Sequence, residues 1–195
     1  PHLQSVQPPP HLIMNPPFQH MRVFQASLSV LKALRAEGHE AFIAGGAVRD
    51  MLLGVVAKDF DIATSAPPDI VVSLFEKTVE VGAQFGVIRV LLGGHEVEVA
   101  TFRTEGGYAD GRRPGQVNWT SAKDDVLRRD FTINGLLWDP LSGDDTGQVI
   151  DYVDGQVDLQ AGVIRAIGDA ATRFEEDRLR ILRAIRFAAR LGFDI

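Results

Sequence analysis

The sequence predicts an α/β (α+β) fold, in which a mixed sheet of about five strands is flanked by helices and followed by further helices. Two observations carry this expectation. Segments with apolar residues at helical spacing alternate with short apolar runs typical of strands. The runs VIRVLL and HEVEVATF are joined by Gly93-Gly94, which indicates an antiparallel hairpin. A chain of 195 residues can hold one domain and part of another.

The first half of the chain predicts three helices and four strands. Gly38 and Gly54 act as stop signals for the first two helices, and Pro67 suits the first turn of the third. The predicted ranges are helix 23–37, strand 40–44, helix 47–53, strand 60–63, helix 67–79 and the hairpin 87–102.

The second half contains a long polar stretch before its helices. Residues 103–120 show no periodicity and are rich in glycine and arginine, which predicts a functional loop. Ser121-x-x-Asp124 resembles a capping box that opens a helix through DDVLRRDFTINGLL. The remaining predicted elements are a hairpin at 138–153, a strand at 163–167 and a helix at 175–191 that ends at Gly192.

Composition limits the classes of partner and compartment. The net charge of −6 and pI near 5.3 imply that any contact with nucleic acid depends on local basic clusters. The absence of cysteine excludes disulfides and thiolate metal sites. No apolar run is long enough to span a bilayer, so we expect a cytoplasmic protein with no membrane partner. Oligomeric state is left open.

The segment GGAVRDMLLGVVAKDFDIAT, residues 45–64, has the clearest chemical content. In a strand, Asp59 and Asp61 would point the same way, and two close carboxylates attract a hard cation such as Mg²⁺. Spaced aspartates at a strand end also occur simply as solvated groups, but here they follow a glycine turn closely. Gly45 and Gly46 offer backbone N–H groups to a phosphate, and Arg49 can point back to the same phosphates. Asp50 is expected to pair with an arginine.

A third carboxylate could come from the hairpin. Glu98 is the candidate because it precedes the run that leads into the polar stretch. The alternative is that Glu98 is a solvent-facing residue on an open sheet.

Two basic segments complete the candidate site. One of Arg128 and Arg129 could turn towards a triphosphate while the other pairs with Asp130, and Asn134 could orient a sugar or cap the backbone. Asp177 and Arg180 lie one turn apart and together could read the edge of a base, although a simple i,i+3 ion pair explains the same spacing.

These motifs, in this order, resemble the class II tRNA nucleotidyltransferase and bacterial poly(A) polymerase family of the polymerase β superfamily. The resemblance runs from about residue 42 to 193 and rests on GGAVRD, DFDIAT, EVATFR, RRDFTIN and EDRLR with LRAIRFAARL. One departure is Gly135, where the family usually has alanine. Within a helix, this glycine would cost up to ~1 kcal/mol.

The resemblance implies a role for each candidate residue. Asp59 and Asp61 would bind two Mg²⁺ ions, to which the candidate Glu98, chosen from the residue pattern, would add a third catalytic carboxylate. The implied nucleotide-binding residues are Gly45, Gly46, Arg49, Arg128 or Arg129, Asn134, Asp177, Arg180, Arg183 and Arg186. Residues 106–114 match the position of the family's flexible loop.

The resemblance also implies a domain layout and a reaction. Residues 21–168 would be the nucleotidyltransferase head, and 169–195 the start of a truncated helical neck. Residues 1–20 hold six of the ten prolines and show no periodic pattern, which itself predicts a flexible leader. The implied activity adds CMP and AMP from CTP and ATP to the 3′ end of tRNA, releasing pyrophosphate. Poly(A) polymerase, CC-adding and A-adding specialists remain alternatives, as does a non-catalytic RNA- or nucleotide-binding module.

Overall fold

The computed structural model describes residues 21–106, 116–143 and 147–195. Its helices and strands form a seven-stranded mixed sheet flanked by helices and a separate two-stranded sheet, which confirms the predicted fold class. The helices are α1 (Arg22–Ala36), α2 (Gly46–Leu52), α3 (Pro68–Leu74), α4 (Ala122–Leu127), α5 (Gly155–Ala161), α6 (Ala170–Glu176) and α7 (Leu179–Leu191). The strands are β1 (Ala41–Ala44), β2 (Ile62–Thr64), β3 (Thr78–Gly82), β4 (Val87–Leu92), β5 (His95–Thr101), β6 (Arg103–Gly106), β7 (Gln116–Trp119), β8 (Leu137–Asp139) and β9 (Gln148–Ile150).

The large sheet has the order β3-β4-β5-β2-β1-β8-β9, and only the β2–β5 pair is parallel. The interior strand β1 is buried on both faces. Ala41 and Ile43 join the main core, into which α1 packs, whereas Phe42 and Ala44 face a second cluster that includes Val126 of α4. Helices on both faces therefore fix the position of the loops at the end of β1.

Four predicted elements are confirmed with small shifts at their ends. Helix α1 ends before Gly38, which has a φ of 83°. Helix α2, the β4–β5 hairpin and the β8–β9 hairpin also form as expected. The predicted leader, residues 1–20, lies outside the described residues.

The second predicted strand begins later than expected. It starts at Ile62, so Asp59 and Asp61 precede it. The alternation of faces still holds, because Phe60 and Ile62 are buried while both aspartates are exposed. The inference that the two carboxylates emerge on one side is therefore supported, although the segment is not regular strand.

Two polar or mixed segments form strands that the pattern did not indicate. The predicted helix 67–79 ends at Leu74, and residues 78–82 instead form β3, which pairs with β4. The predicted loop 103–120 contains β6 and β7, which form an antiparallel pair over four residues each. Neither β3 nor β6 has a fully buried side chain, so neither shows an alternating apolar pattern. Residues 107–115, which include most of the predicted flexible loop, lie outside the described residues.

The helix predicted through DDVLRRDFTINGLL is shorter than expected. Ser121 caps α4 by accepting a hydrogen bond from the N–H of Asp124, as the capping box predicts. The helix ends at Leu127, and a 3₁₀ turn at Thr132–Asn134 leads into β8. The apolar residues that follow the turn enter the sheet, because the buried backbone of β8 pairs with β1 and β9.

The final predicted helix is divided in two. Helix α6 ends at Glu176, and Asp177 adopts an extended φ of −141° before α7 begins. The predicted strand at 163–167 is reduced to isolated bridges, and α5, which precedes it, was not predicted. Among the described residues, no helix is long and apolar enough to cross a membrane.

Gly135 gives a stability prediction that differs from the sequence-based one. It lies after the 3₁₀ turn and outside any helix, and an added Cβ would lie 2.8 Å from Val153 Cγ2 and 3.1 Å from Ile167 Cδ1. We expect Gly135→Ala to lower the free energy of unfolding by about 1–3 kcal/mol through overpacking, measured by urea denaturation. Gly106→Ala is the matched control, because no atom of the described residues lies within 4 Å of its added Cβ. An equal or greater stability of Gly135→Ala relative to the parent chain would contradict this account.

Candidate nucleotide-binding cleft

A cleft of about 710 Å³ lies between the sheet and α7. Its lining includes eight arginines and five acidic residues, so it is positive although the whole chain carries −6. A cleft with this balance favours an anionic ligand. The arginines are Arg49, Arg103, Arg128, Arg129, Arg180, Arg183, Arg186 and Arg190, and the acids are Asp61, Glu98, Glu105, Asp130 and Asp177.

The turn between β1 and α2 forms one wall. Gly45 has φ 66° and ψ −121°, a conformation that favours glycine, and it lets the chain reverse directly into α2. Its N–H donates to the carbonyl of Leu136 at 2.9 Å, so the expectation that both glycines offer free N–H groups is wrong for Gly45. Gly46 lies next to it at the cleft surface.

Asp61 and Asp59 differ from the other aspartates around the cleft. Neither carboxylate forms an ion pair or a side-chain hydrogen bond within the described part of the chain, whereas Asp50 and Asp130 are each engaged by arginines. Asp61 is accessible to solvent but sits inside the cleft, surrounded by protein atoms. Burial, the charge of Glu98 and the charge of Asp59 raise the pKa of Asp61 from 3.8 to about 6.

Glu98 lies on β5 and faces the cleft, as the alternation with Val97 and Val99 predicts. Its carboxylate lies 4.0 Å from Arg89 Nε. Within residues 21–106, 116–143 and 147–195, no group of three or more His, Cys, Asp or Glu side chains is arranged to hold a metal ion. Glu98 and Asp59 nevertheless lie close enough to Asp61 for their negative charges to raise its pKa, in addition to the larger effect of burial.

The donor chemistry of Asp59 and Asp61 fits a hard divalent cation. Carboxylate oxygens are the ligands that Mg²⁺ prefers, and a cation would offset the burial and the repulsion that raise the pKa of Asp61. The sequence has no cysteine, and no histidine lines the cleft in the part of the chain that the structure describes.

Arg49 is buried and is held by its neighbours. Its Nε and Nη2 donate to Asp50 at 2.8 and 2.6 Å, and its Nη1 donates to Asn134 Oδ1 at 2.6 Å. The expected pairing of Asp50 with an arginine is confirmed. Asn134 accepts from Arg49 through Oδ1 and donates from Nδ2 to Asp130 Oδ1 at 3.2 Å. Arg49 and Asn134 thus form part of the cleft's internal support.

Arg128 and Arg129 follow α4 and are not on a helix, contrary to the sequence prediction. Neither pairs with Asp130. Both bind Asp125, at 2.7 and 2.9 Å, and Arg128 also binds Glu105 at 2.9 Å. Asp130 instead pairs with Arg183 Nη2 at 2.6 Å, which ties this segment to α7.

Asp177 and Arg180 do not share a helix face, because Asp177 lies in the break between α6 and α7. Asp177 Oδ1 accepts a hydrogen bond from the N–H of Leu179 at 3.0 Å. Arg180 is buried and pairs with Glu176 at 3.2 Å, so the simple i,i+3 ion pair is not formed. Both residues nevertheless line the cleft.

Phe187 is the residue that sequence reasoning missed. Its buried ring lies under three guanidinium groups, with the Cζ atoms of Arg49, Arg186 and Arg183 at 5.2, 5.2 and 5.5 Å from the ring centroid. Such contacts stabilise partly desolvated cations. The amphipathic pattern of α7 could have indicated a buried phenylalanine but not which arginines would cover it. Asp125, which binds both Arg128 and Arg129, was also missed.

Removal of the Phe187 ring should destabilise the chain. We expect Phe187→Ala to lower the free energy of unfolding by about 3–5 kcal/mol, because it leaves a cavity and removes the surface under three cations. Leu182→Ala is the matched control on the same helix, since Leu182 is 64% exposed and should cost less than about 0.5 kcal/mol. Chemical denaturation of both variants measures the difference, and equal effects would contradict the docking role of Phe187.

The raised pKa of Asp61 predicts a pH-dependent stability in the absence of metal. The folded state holds the proton more tightly than the unfolded state, so this contribution is complete below pH 3.8 and is lost as the pH rises through about 6. Asp61→Asn should therefore gain stability relative to the parent chain between pH 4 and pH 7. Asp69→Asn, an exposed acid on α3, should follow the parent. Urea unfolding with EDTA at several pH values measures this, and parallel curves for Asp61→Asn and the parent would exclude it.

Comparison with known proteins agrees with this geometry. Residues 41–165 match the family model described as the poly(A) polymerase head domain. The CCA-adding enzyme of Bacillus pumilus (strain SAFR-032) is 49% identical over 183 residues, covering 93% of this chain and 43% of that protein. The CCA-adding enzyme of Streptococcus mutans serotype c is 48% identical over 173 residues, covering 88% of this chain and 42% of that protein.

Solved structures give the same result. The Bacillus stearothermophilus CCA-adding enzyme in complex with CTP has a TM-score of 0.78 at 40% identity, over 89% of this chain and 40% of that one. The Thermotoga maritima CCA-adding enzyme complexed with tRNA has a TM-score of 0.70 at 30% identity, over 89% of this chain and 39% of that one. The chain spans less than half the length of the relatives that it matches. On this evidence the chain belongs to the poly(A) polymerase head-domain family of nucleotidyltransferases, whose members here include the CCA-adding enzymes.

Proposed function

We propose that this chain provides the catalytic head of a template-independent nucleotidyltransferase that adds CMP and AMP from CTP and ATP to the 3′ end of tRNA. The single observation that carries the proposal is the pair of unpaired carboxylates, Asp59 and Asp61, beside an arginine-lined cleft. The similar enzymes named for CCA addition, and the one solved with CTP, support the choice of reaction.

The reaction joins the 3′-hydroxyl oxygen of the RNA to the α-phosphorus of the nucleotide and breaks the bond from that phosphorus to the bridging oxygen of pyrophosphate. Asp59 and Asp61 would hold two Mg²⁺ ions. When bound, these ions supply activation of the hydroxyl and neutralisation of charge on the leaving group. Glu98 would add negative charge beside the pair and so strengthen the attraction for the cations.

The chain's own cations would position the triphosphate. Arg129 lies against the Gly45-Gly46 turn, since its Nη1 would be 3.3 Å from a Cβ placed on Gly45. The lack of side chains at this turn would allow phosphate oxygens to approach the backbone. Arg49, held by Asp50 and Asn134, would support this wall electrostatically. Fixed charges of this kind lower the barrier because they need no reorganisation during the reaction.

The break before α7 would read the base. Asp177 Oδ1 accepts a hydrogen bond from the N–H of Leu179, and its Oδ2 forms no hydrogen bond with the described residues. A carboxylate oxygen can accept from the exocyclic amine of either cytosine or adenine. Arg180 would donate from the same wall, and Arg183 and Arg186 would border the nucleotide.

The acceptor and the wider architecture are part of the same proposal. We infer that residues 169–195 begin a helical neck after a head at 21–168, and that the enzyme acts on tRNA in the cytoplasm. The two similar proteins solved with CTP and with tRNA support this choice of partners. Poly(A) polymerase is the nearest alternative, because the family model carries that description. A CC-adding or A-adding specialist would share the same head.

The proposed reaction is tested by incorporation of labelled CTP or ATP into tRNAs that lack CCA, CA or only the final A. We expect the full-length protein to add the missing nucleotides and then stop. Asp59→Asn and Asp61→Asn should each reduce incorporation about 10²-fold or more, because the cation site is lost. Asp69→Asn is the control and should retain activity.

The pattern of products separates the alternatives. Long A tracts on unrelated RNA would show a poly(A) polymerase, and addition of only C or only A would show a specialist. Undiminished activity in both aspartate variants would overturn the catalytic assignment itself.

A further inference from the structure

Adjacent Arg128 and Arg129 share one buried acid, Asp125, which is 3% exposed. Its Oδ1 accepts hydrogen bonds from Arg128 Nε and Nη2 at 3.0 and 2.7 Å, and from the N–H of Arg103 at 3.1 Å. Its Oδ2 accepts from Arg129 Nε and Nη2 at 3.3 and 2.9 Å. Each oxygen of Asp125 therefore serves one guanidinium group.

The two guanidinium groups differ in the donors that remain. Every nitrogen of the Arg128 guanidinium has an acceptor, because Nε also reaches the carbonyl of Arg103 at 2.8 Å and Nη1 reaches Glu105 at 2.9 Å. Arg129 uses only Nε and Nη2. Its Nη1 has no acceptor among the described residues and lies against Gly45, at the wall of the cleft.

The positive charge of Arg129 also acts on Asp61. It lowers the pKa of Asp61, although burial and the neighbouring acids outweigh this effect. Arg129 therefore has a donor left at the wall of the cleft, whereas the donors of Arg128 are taken up by Asp125 and by β6. This assignment divides two roles that the sequence could not separate.

We propose that Asp125 is a positioning residue, which clamps the two arginines so that Arg129 presents Nη1 to the triphosphate while Arg128 fastens β6 to the end of α4. The inference rests on the proposed function, because it requires the cleft to bind a nucleotide triphosphate. Asp125 is suited to the role because it is ionised: burial raises its pKa, but Arg129 and Arg128 outweigh burial and hold the pKa below its ordinary value.

A positioning role and a purely electrostatic role for Asp125 predict opposite changes in triphosphate affinity for one substitution. Asp125→Asn removes a negative charge from beside an anion site, so the Coulomb effect alone would tighten the binding of triphosphate. If Asp125 acts by orienting Arg129, the same substitution releases the guanidinium and weakens binding. The direction of the change in affinity therefore decides between the two explanations.

Glu105 supplies the matched control. It is an acid that pairs with Arg103 at 2.6 Å and with Arg128 at 2.9 Å, and it lines the same cleft. Glu105→Gln removes the same charge from the same region while leaving the clamp on Arg129 in place.

The experiment is calorimetric titration of the full-length protein with CTP and with inorganic tripolyphosphate, both in Mg²⁺. We expect Asp125→Asn to weaken both ligands about tenfold, the size of a lost charge-assisted hydrogen bond. Glu105→Gln should bind as the parent does or more tightly. Because the effect is on the triphosphate, steady-state assays should show a raised KM for CTP and ATP.

A second variant, Asp125→Glu, keeps the proposal testable if Asp125→Asn does not fold. It keeps the charge but moves the carboxylate by one methylene, and we expect it to weaken tripolyphosphate binding as well, with thermal unfolding followed in parallel. Affinity in folded Asp125→Asn equal to or above that of the parent would overturn the inference. If only Asp125→Glu folds, parental affinity in that variant would overturn it. Failure of the parent protein to bind either ligand would overturn the proposed function itself, and this inference with it.

Discussion

The arrangement of the cleft depends on the packing of one aromatic ring against three guanidinium groups. Phe187 of α7 lies under Arg49, Arg183 and Arg186, and its ring also packs edge-to-face with Phe131, with the ring centroids 5.9 Å apart. Arg49 is buried, and a buried arginine is tolerated only when its charge and hydrogen bonds are satisfied. Asp50 and Asn134 supply those partners to Arg49, and Asp130 binds both Asn134 and Arg183, so one network joins α2, the turn after α4 and α7.

This network explains why two acids differ from the rest. Some acids hold arginines in place: Asp125 forms an ion pair with Arg128, and Asp130 forms one with Arg183. Asp61 lines the cleft and Asp59 precedes it by two residues, and neither has such a partner among the described residues. Burial, followed by the charges of Glu98 and Asp59, raises the pKa of Asp61. The structure thus separates supporting carboxylates from carboxylates that remain available to a cation. A positive cleft beside an unpaired acidic pair is suited to a metal-bound polyphosphate.

The sequence predicts the fold class, most helices and the main hairpin, because those elements bury regular apolar faces. Glycine turns and alternating residues likewise indicate that Asp59 and Asp61 share a side. The pattern fails where long-range pairing decides the conformation, as in β3 and in β6–β7. It also fails to assign partners: Asp130 binds Arg183, fifty-three residues away, and adjacent Arg128 and Arg129 both bind Asp125. Such choices depend on tertiary distances that local spacing does not contain.

The central claim is that the Asp59–Asp61 pair holds the metal and the Gly45–Arg129 wall holds the phosphates of one nucleotide. The most direct measurement is a crystal structure with Mn²⁺ and a non-hydrolysable CTP analogue, in which anomalous scattering locates the metal. The account predicts a manganese peak between the carboxylates of Asp59 and Asp61, with the triphosphate against Gly46 and Arg129 and the base towards Asp177. A manganese peak away from both aspartates, or a triphosphate outside the cleft, would contradict it.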